Sequence, residues 1–196
     1  PDGKYIASGS FDKTVKIWNA SDGSLIRTLR GHKKYVTCVA YSKDSKYIVS
    51  GSFDKTIKIW NANNGTLIHT LEGHQGLVNG LTYSPNGKYI ASSSEDKTVK
   101  IWNASDGSFY RTLDGHKSMV TGVAYSVDSR YIASSSEDKT VKIWDTNNGN
   151  IIRSIIHSSP VSCLAYSPDG SNIATSDDRK IKIWNTDNGF LIRSLE

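Results

Sequence analysis

Five tryptophans recur along the chain at an almost constant spacing, and this repeat limits the fold more than any other feature. They are Trp18, Trp60, Trp102, Trp144 and Trp184, which are 42, 42, 42 and 40 residues apart. The sequence before them reads SFDKTVKIW in the first repeat and SDDRKIKIW in the last, and a histidine lies 28 residues before Trp60 but 27 before Trp184. A period of about 20 to 50 residues indicates stacked copies of one supersecondary unit.

Each period contains four short β-rich runs separated by turn sequences. In the second repeat the predicted strands are residues 35–41, 46–52, 56–60 and 67–71. Gly-His, Ser-Lys-Asp-Ser, Phe-Asp-Lys and Asn-Ala-Asn-Asn-Gly separate them, which is typical of antiparallel meanders. The runs alternate with a period of two, and no amphipathic helical run occurs. An all-β fold is therefore predicted, and α/β and helical-solenoid folds are excluded.

A four-stranded meander cannot bury both of its faces alone. Stacking such sheets radially buries them, which gives a β-propeller. The Gly-His pairs at His32, His74 and His116, together with the repeated tryptophans, resemble the WD-repeat (WD40) β-propeller family over the whole chain. One departure is that Asp follows only Trp144, whereas Asn follows the other four tryptophans; Asn can also start such a turn.

A single WD-repeat propeller domain is expected over residues 1–196. The repeats are predicted at about 1–30, 31–72, 73–114, 115–155 and 156–196. The opening Pro1-Asp2-Gly3 matches the turn at 84–87 between first and second strands, so the first blade should lack its innermost strand, leaving 19 strands. Because the family usually closes with seven blades, we expect a part of a longer seven-bladed ring; the alternative is a ring completed by copies of the chain.

Each full repeat carries a histidine, a hydroxyl residue, an aspartate and a tryptophan at fixed offsets. The sets are His32, Ser50, Asp54 and Trp60; His74, Ser92, Asp96 and Trp102; His116, Ser134, Asp138 and Trp144; and His157, Thr175, Asp178 and Trp184, with Ser8, Asp12 and Trp18 in the first repeat. Ser, His and Asp also form hydrolase sites, but a catalytic site is needed once and this set recurs. The family resemblance implies structural tetrads, in which Asp accepts from His, His bonds the hydroxyl and the hydroxyl meets the indole N–H. No enzymatic activity is expected.

The resemblance also implies a docking surface on the top face of the propeller. Its residues lie three and five positions after each histidine and just before each tetrad aspartate. They are Tyr35, Thr37, Leu77, Asn79, Met119, Thr121, Pro160, Ser162, Phe11, Phe53, Glu95, Glu137 and Asp177. This set is apolar on one arc and acidic on the next. The predicted partner is a protein or peptide with a hydrophobic anchor beside Lys or Arg.

Charge and composition exclude other classes. The net charge is +5, but the lysines of the Asp-Lys turns and third strands recur once per repeat, so they should form solvated faces around the ring. Nucleic-acid binding, which favours a single basic stripe, is disfavoured. No run approaches the roughly 18 apolar residues of a membrane span. Cys38 and Cys163 are predicted as small core residues in a reducing compartment, which favours an intracellular, cytoplasmic or nuclear location. No cofactor or metal site is expected, since His69 is the only histidine outside the tetrads.

The leading functional prediction is a non-catalytic protein-interaction scaffold. One alternative is a ligand-sensing or autoinhibitory propeller of a multidomain signalling protein with an attached ATPase or kinase. Another is a self-assembling structural unit that pairs through open blade ends. The fold supports a class of function and does not name a partner.

Overall fold

A computed structural model describes residues 2–195 as nineteen strands in five antiparallel sheets. The first sheet contains β1 (Tyr5–Gly9), β2 (Thr14–Asn19) and β3 (Leu25–Arg30). The second contains β4 (Val36–Tyr41), β5 (Tyr47–Ser52), β6 (Ile57–Asn61) and β7 (Leu67–Leu71). The third contains β8 (Val78–Tyr83), β9 (Tyr89–Ser94), β10 (Val99–Asn103) and β11 (Phe109–Leu113). The fourth contains β12 (Val120–Tyr125), β13 (Tyr131–Ser136), β14 (Thr140–Asp145) and β15 (Ile151–Ile156). The fifth contains β16 (Val161–Tyr166), β17 (Asn172–Asp177), β18 (Lys180–Asn185) and β19 (Leu191–Leu195).

The all-β propeller fold class is confirmed, and the described residues contain no helix. The first sheet has three strands and lacks the innermost one, whereas the other four sheets have four strands each. The seven-bladed ring stays a prediction. Pro1, which begins the predicted opening turn, and Glu196, which ends the last predicted repeat, lie outside the described residues.

Apolar side chains form a layer between each pair of consecutive sheets. Between the first and second sheets, Val15, Ile17 and Leu29 pack against Ile48 and Trp60. All five are almost fully buried, and the next sheets repeat the arrangement. Every extensive contact between sheets joins neighbours in the chain. The core is therefore a series of layers, and burial of apolar area in each layer holds one blade to the next.

Apolar side chains on the outer face of the fifth sheet are exposed, whereas their counterparts in the other sheets are buried in a layer. Ile181 and Leu195, which correspond to the buried Ile57 and Leu71 of the second sheet, are 49% and 43% exposed. Cys163 is exposed on this sheet too, so its predicted place in the core is wrong. The reason is that no further sheet among residues 2–195 packs against this face. Its counterpart Cys38 lies against the second-sheet layer, and burial raises the pKa of its thiol to about 11.

No helix among residues 2–195 is long and apolar enough to span a membrane.

Candidate functional site

A chain of three hydrogen bonds crosses the second blade. His32 Nδ1 donates to Asp54 Oδ2 at 2.9 Å, and Ser50 Oγ donates to His32 Nε2 at 2.8 Å. Trp60 Nε1 in turn donates to Ser50 Oγ at 2.8 Å. The chain joins β5, β6, the turn between them and the segment before β4. It gives each buried polar group a partner, as burial requires.

The third and fourth blades repeat this geometry. The His–Asp distances are 2.7 Å for His74–Asp96 and 2.8 Å for His116–Asp138. Ser92 Oγ lies 2.8 Å from His74 Nε2 and 2.9 Å from Trp102 Nε1. In the fourth blade, Ser134 Oγ lies 2.7 Å from His116 Nε2 and 2.8 Å from Trp144 Nε1. In the first sheet, Trp18 Nε1 donates to Ser8 at 2.9 Å.

The tetrad aspartate accepts three further hydrogen bonds, from two residues that the sequence analysis missed. Thr56 donates to Asp54 Oδ1 through both its backbone N–H and its hydroxyl, and the Lys33 N–H donates to Oδ2. Lys55 adopts a φ of 70° in the tight turn, which brings Thr56 back toward the carboxylate. Burial alone would raise the pKa of Asp54, but the bonds from Thr56, the Lys33 N–H and His32 together lower it to about 2. The repeated Asp-Lys-Thr sequence was the available signal for the threonine.

The tetrads are built for structure. Ser50, Ser92 and Ser134 are fully buried, so a substrate cannot reach their hydroxyls. Each hydroxyl is also held by an indole donor. Burial lowers the pKa of His32 and His116, and the carboxylate only partly offsets this. The neutral imidazole thus bridges acid and hydroxyl inside the blade.

The fifth blade differs from the prediction. His157 Nδ1 donates to Asp177 Oδ2 at 3.0 Å, so Asp177 takes the place that the sequence assigned to Asp178. The turn between β17 and β18 has one residue fewer than the turn between β13 and β14. As a result Asp178 lies in the turn with a φ of 50° and is exposed, whereas Asp177 ends β17 and is buried. Asp177 is therefore not part of the predicted docking surface either.

The rest of the fifth tetrad is incomplete. Trp184 Nε1 donates to Thr175 Oγ1 at 2.9 Å, but His157 Nε2 is buried without a hydrogen-bond partner among the described residues. Lys182 Nζ lies 2.7 Å from Asp177 Oδ2 and forms an ion pair with this carboxylate.

Three of the predicted docking residues come together as an aromatic cluster. The Tyr35 ring centroid lies 4.8 Å from that of Phe11 and 5.6 Å from that of Phe53. Phe11 is 73% exposed and Tyr35 is 43% exposed, while Phe53 is half-buried. We call these three residues the aromatic cluster.

Main-chain bonds hold the remaining predicted positions in pairs. The Glu95 N–H donates to the Leu77 carbonyl, and the Glu137 N–H donates to the Met119 carbonyl, both at 3.0 Å. Leu77 and Met119 are half-buried, whereas Glu95 and Glu137 are exposed. The position three after the histidine thus adjoins the position before the aspartate in each of these blades.

The polar residues five after the histidine have a different role. Thr37 Oγ1 donates to the Val78 carbonyl of the next sheet, and Thr121 Oγ1 donates to the Val161 carbonyl at 2.6 Å. Asn79 Nδ2 donates to the Val120 carbonyl at 2.9 Å. These side chains tie neighbouring inner strands together, so their polar groups are already engaged. In the fifth sheet, Pro160 and Ser162 are exposed.

The strand lysines are less solvated than expected. Lys58 is buried, and its Nζ donates to Thr70 Oγ1 at 2.8 Å; Lys100 donates to Thr112 at 2.9 Å in the same way. The prediction of a solvated face is wrong for Lys58, because its stem packs along the sheet and only the ammonium group needs a partner. Within residues 2–195, no group of three or more His, Cys, Asp or Glu side chains is placed to hold a metal ion.

The stacked antiparallel sheets and their repeated tetrads define a WD-repeat β-propeller. Residues 1–158 match the family model described as the echinoderm microtubule-associated protein second beta-propeller, and residues 149–185 match the WD domain, G-beta repeat model. The chain belongs to this echinoderm microtubule-associated protein propeller family.

Stretches of 32 to 46 residues also match other proteins. The Notchless protein homolog of Arabidopsis thaliana is 56% identical over 32 residues, which is 16% of this chain and 7% of that protein. WD repeat and SOCS box-containing protein 1 is 46% identical in Xenopus tropicalis and 44% in Danio rerio, each over 46 residues, 22% of this chain and 11% of that protein. The matches thus span only about a tenth of these relatives. WD-repeat propellers generally mediate protein–protein interactions and are typically non-catalytic scaffolds.

Proposed function

We propose that the chain binds a protein or peptide partner on its top face, with the aromatic cluster as the anchor site. The observation that carries this proposal is the exposure of Phe11 and Tyr35 on adjacent blades, with their rings in contact. Such rings give up little conformational freedom on binding, and a few aromatic side chains often supply most of the binding free energy at interfaces.

The neighbouring arc supports a basic residue on the partner. Glu95 and Glu137 are exposed, and no ion pair to Lys or Arg engages either of them within the described residues. Main-chain bonds pair Glu95 with Leu77 and Glu137 with Met119, so each acidic residue adjoins an apolar one. A partner segment with an apolar anchor followed by Lys or Arg would match both arcs, with the acids contributing mainly orientation and association rate.

A peptide-display selection against the chain tests the proposal. Peptides that combine an aromatic or large aliphatic residue with Lys or Arg should be enriched, and the Tyr35→Ser variant should bind them at least about tenfold more weakly. The Glu95→Gln variant should bind them more weakly by a smaller factor. Enriched peptides that lack an apolar anchor, or that bind Tyr35→Ser unchanged, would overturn the proposal.

Folding must be separated from binding in this experiment. Tyr35 is exposed and makes no tetrad bond, so Tyr35→Ser should unfold at nearly the same temperature as the unchanged chain. A matched control is Val127→Ser, an exposed apolar residue in the turn between β12 and β13 at the opposite end of the blades, which should bind the selected peptides normally.

A further inference from the structure

Arginines close three of the four junctions between blades at the end opposite to the aromatic cluster. Arg27 Nη2 donates to the Asn63 carbonyl at 3.0 Å, across the junction of the first and second blades. Arg111 donates to the Asn147 and Asn148 carbonyls at 3.1 and 3.0 Å, across the junction of the third and fourth. Arg153 donates to the Asp187 and Asn188 carbonyls across the last junction. Each guanidinium thus caps the turn between third and fourth strands of the next blade.

The junction of the second and third blades has a histidine at this position. A Cβ built on Gly107 would meet His69, whereas one built on Gly65 or Gly149 would meet Arg27 or Arg111, which shows that these side chains occupy equivalent places. His69 is too short to span the junction. No hydrogen bond among the described residues reaches the carbonyls of Ser105 and Asp106, which correspond to the capped carbonyls of Asn147 and Asn148.

A groove of about 870 Å³ opens at this junction. Its walls include Tyr47, Tyr83, Tyr89, Ile68, His69 and Ser105. At the third junction, by contrast, Tyr110 stands where Ile68 stands here. Its ring is tilted by 41° against that of Tyr89, with the centroids 4.9 Å apart, and the Arg111 guanidinium lies 5.6 Å from its centroid. The second junction therefore has Ile68 and His69 in place of the tyrosine ring and the guanidinium of the third junction.

The chemistry of the walls matches a guanidinium group. The Ser105 and Asp106 carbonyls accept no hydrogen bond among the described residues, and they correspond to carbonyls that Arg111 caps at the next junction. Tyr83 Oη is buried without a hydrogen-bond partner within the described residues, but so are the equivalent hydroxyls of Tyr41, Tyr125 and Tyr166, so this phenol lines the groove without distinguishing it from the other junctions. Tyrosine rings also attract a cation over their faces. Backbone and hydroxyl bonds from Ser108, with a smaller contribution from His69, lower the pKa of Asp106 and keep its carboxylate charged nearby.

We propose that this groove binds an arginine side chain of a partner protein, whose guanidinium takes the place that Arg27, Arg111 and Arg153 fill at the other junctions. It donates to the Ser105 and Asp106 carbonyls with its stem between the tyrosine walls. The site is separate from the aromatic cluster and does not rest on the function proposed for it.

Two lysines at the rim do not oppose this assignment. Lys43 and Lys88 line the groove but are exposed, so their ammonium groups can turn into solvent. The position of Lys88 is also cationic at two of the three junctions that hold an arginine, and it is Ser171 at the last. Lys46 accompanies Arg27 at the first junction and Arg130 accompanies Arg111 at the third.

The test is an NMR titration of the isotope-labelled chain with the peptide acetyl-Gly-Arg-Gly-amide. Saturable shifts are expected at the backbone amides of Ser105, Asp106 and Gly107, with a dissociation constant of about 1 mM. A peptide with citrulline, which has the same shape without the charge, should bind at least about tenfold more weakly. Inorganic phosphate should leave these amides unchanged.

One variant copies the three closed junctions, and a second copies the third junction, since Ile26 and Ile152 stand at the position of Ile68 in the other two. His69→Arg supplies the missing guanidinium in cis, and Ile68→Tyr supplies the ring that Tyr110 provides in the next blade. Both residue types already occupy these places in the chain, so both variants should fold. Each should lower peptide binding at least about tenfold, whereas Tyr35→Ser should not.

Three results would overturn the proposal: no saturable shifts, equal binding of arginine and citrulline peptides, or unchanged binding in both variants. Binding of phosphate at the same amides would also overturn it, because the groove would then be an anion site. Success here with failure of the display selection would leave this site standing without the top-face proposal.

Discussion

The third and fifth blades each carry a histidine, a hydroxyl residue, an aspartate and a tryptophan but do not connect them in the same way. In the third blade, His74, Ser92 and Trp102 form an unbroken chain to Asp96, and each buried group has a partner. In the fifth blade the chain stops at His157, whose Nε2 has no partner within the described residues. One residue fewer in a turn produces this difference, so the network depends on turn length as much as on residue identity.

The comparison also shows which element compensates. In the fifth blade Lys182 binds the acid directly at 2.7 Å, whereas its third-blade counterpart Lys100 binds Thr112. Moving the acid onto the strand brings it within reach of this lysine. A charged contact thus replaces part of a neutral network, and mutations in the two blades should have unequal effects.

The largest expected effect is that of Asp96→Ala. The change leaves His74 Nδ1, the Thr98 hydroxyl and the Gln75 N–H without their acceptor, and should lower the free energy of unfolding by about 3 kcal/mol. The matched control is Asp178→Asn, which replaces an exposed turn residue by one that tolerates the same backbone conformation and should change it by less than about 0.5 kcal/mol. Urea unfolding measures both. Similar losses in the two variants would show that Asp178 does belong to the fifth network.

A smaller difference should separate the two hydroxyl positions. Ser92→Ala removes a group that links His74 to Trp102 and leaves two buried nitrogens unpaired, at a cost of about 2 kcal/mol. Thr175→Val should cost about 1 kcal/mol, because only the Trp184 nitrogen loses its partner. Equal costs in urea unfolding would mean that His157 and Thr175 are bonded in solution, against the geometry described above.

The smallest effect concerns mild acid. Burial lowers the pKa of His32, His116 and His157 below the ordinary value of 6.5. The unfolded chain therefore binds protons below pH 6.5 that the folded chain does not, and stability falls as the pH falls. Between pH 7.5 and 5.5 the unfolding temperature should drop by about 2–4 °C, measured by tryptophan fluorescence.

The carboxylates act in a separate and lower window. The folded pKa of Asp54 and Asp138 is about 2, compared with an ordinary value of 3.8, so their contribution is lost only as the pH falls from about 4 toward 2. A flat unfolding temperature down to pH 5.5, followed by a drop near pH 3, would assign the acid sensitivity to the carboxylates alone.

Much of the fold could be predicted because the same pattern of strands and turns occurs in five repeats. The strand β7 at Leu67–Leu71 has its predicted bounds, and β4 begins at Val36, one residue after its predicted start. The three-stranded first sheet also followed from matching the opening turn to a later one. Repetition averages out local ambiguity, which is why composition and propensity added little.

The wrong predictions came from assigning residues by a fixed spacing from the repeated tryptophan or histidine. In the other blades the tetrad aspartate lies six residues before the tryptophan, and this offset selects Asp178 in the fifth. In the structure Asp177 instead ends β17, paired with Lys180, and it is the acid that faces inward. Likewise, position five after the histidine was assigned to docking, yet Thr37 donates to the sheet beside it. Contacts between blades join residues about one repeat apart, and periodicity within a repeat does not show them.

The inter-blade arginines were missed for the same reason. Arg27 and Arg111 look like ordinary outer-strand charges in the sequence, and His69 looks like a lone histidine. Only their place against the next blade shows that two are engaged and that one leaves a groove. The signal that could have shown this is the single exception in an otherwise regular column of arginines.

The near-identity of the blades has a consequence for how the chain finds its native pairing. β9 and β13 carry the same six residues, Tyr-Ile-Ala-Ser-Ser-Ser, so either could form a ladder with β10 or with β14. Side-chain complementarity does not distinguish these partners. The connection from β9 to β10 is short, while one from β9 to β14 would be about ten times longer and would cost about 2 kcal/mol more in loop closure. The lower cost of closing the short loop therefore favours the correct hairpin. Lengthening the turn at Asp96 would reduce this preference and favour strand exchange between blades.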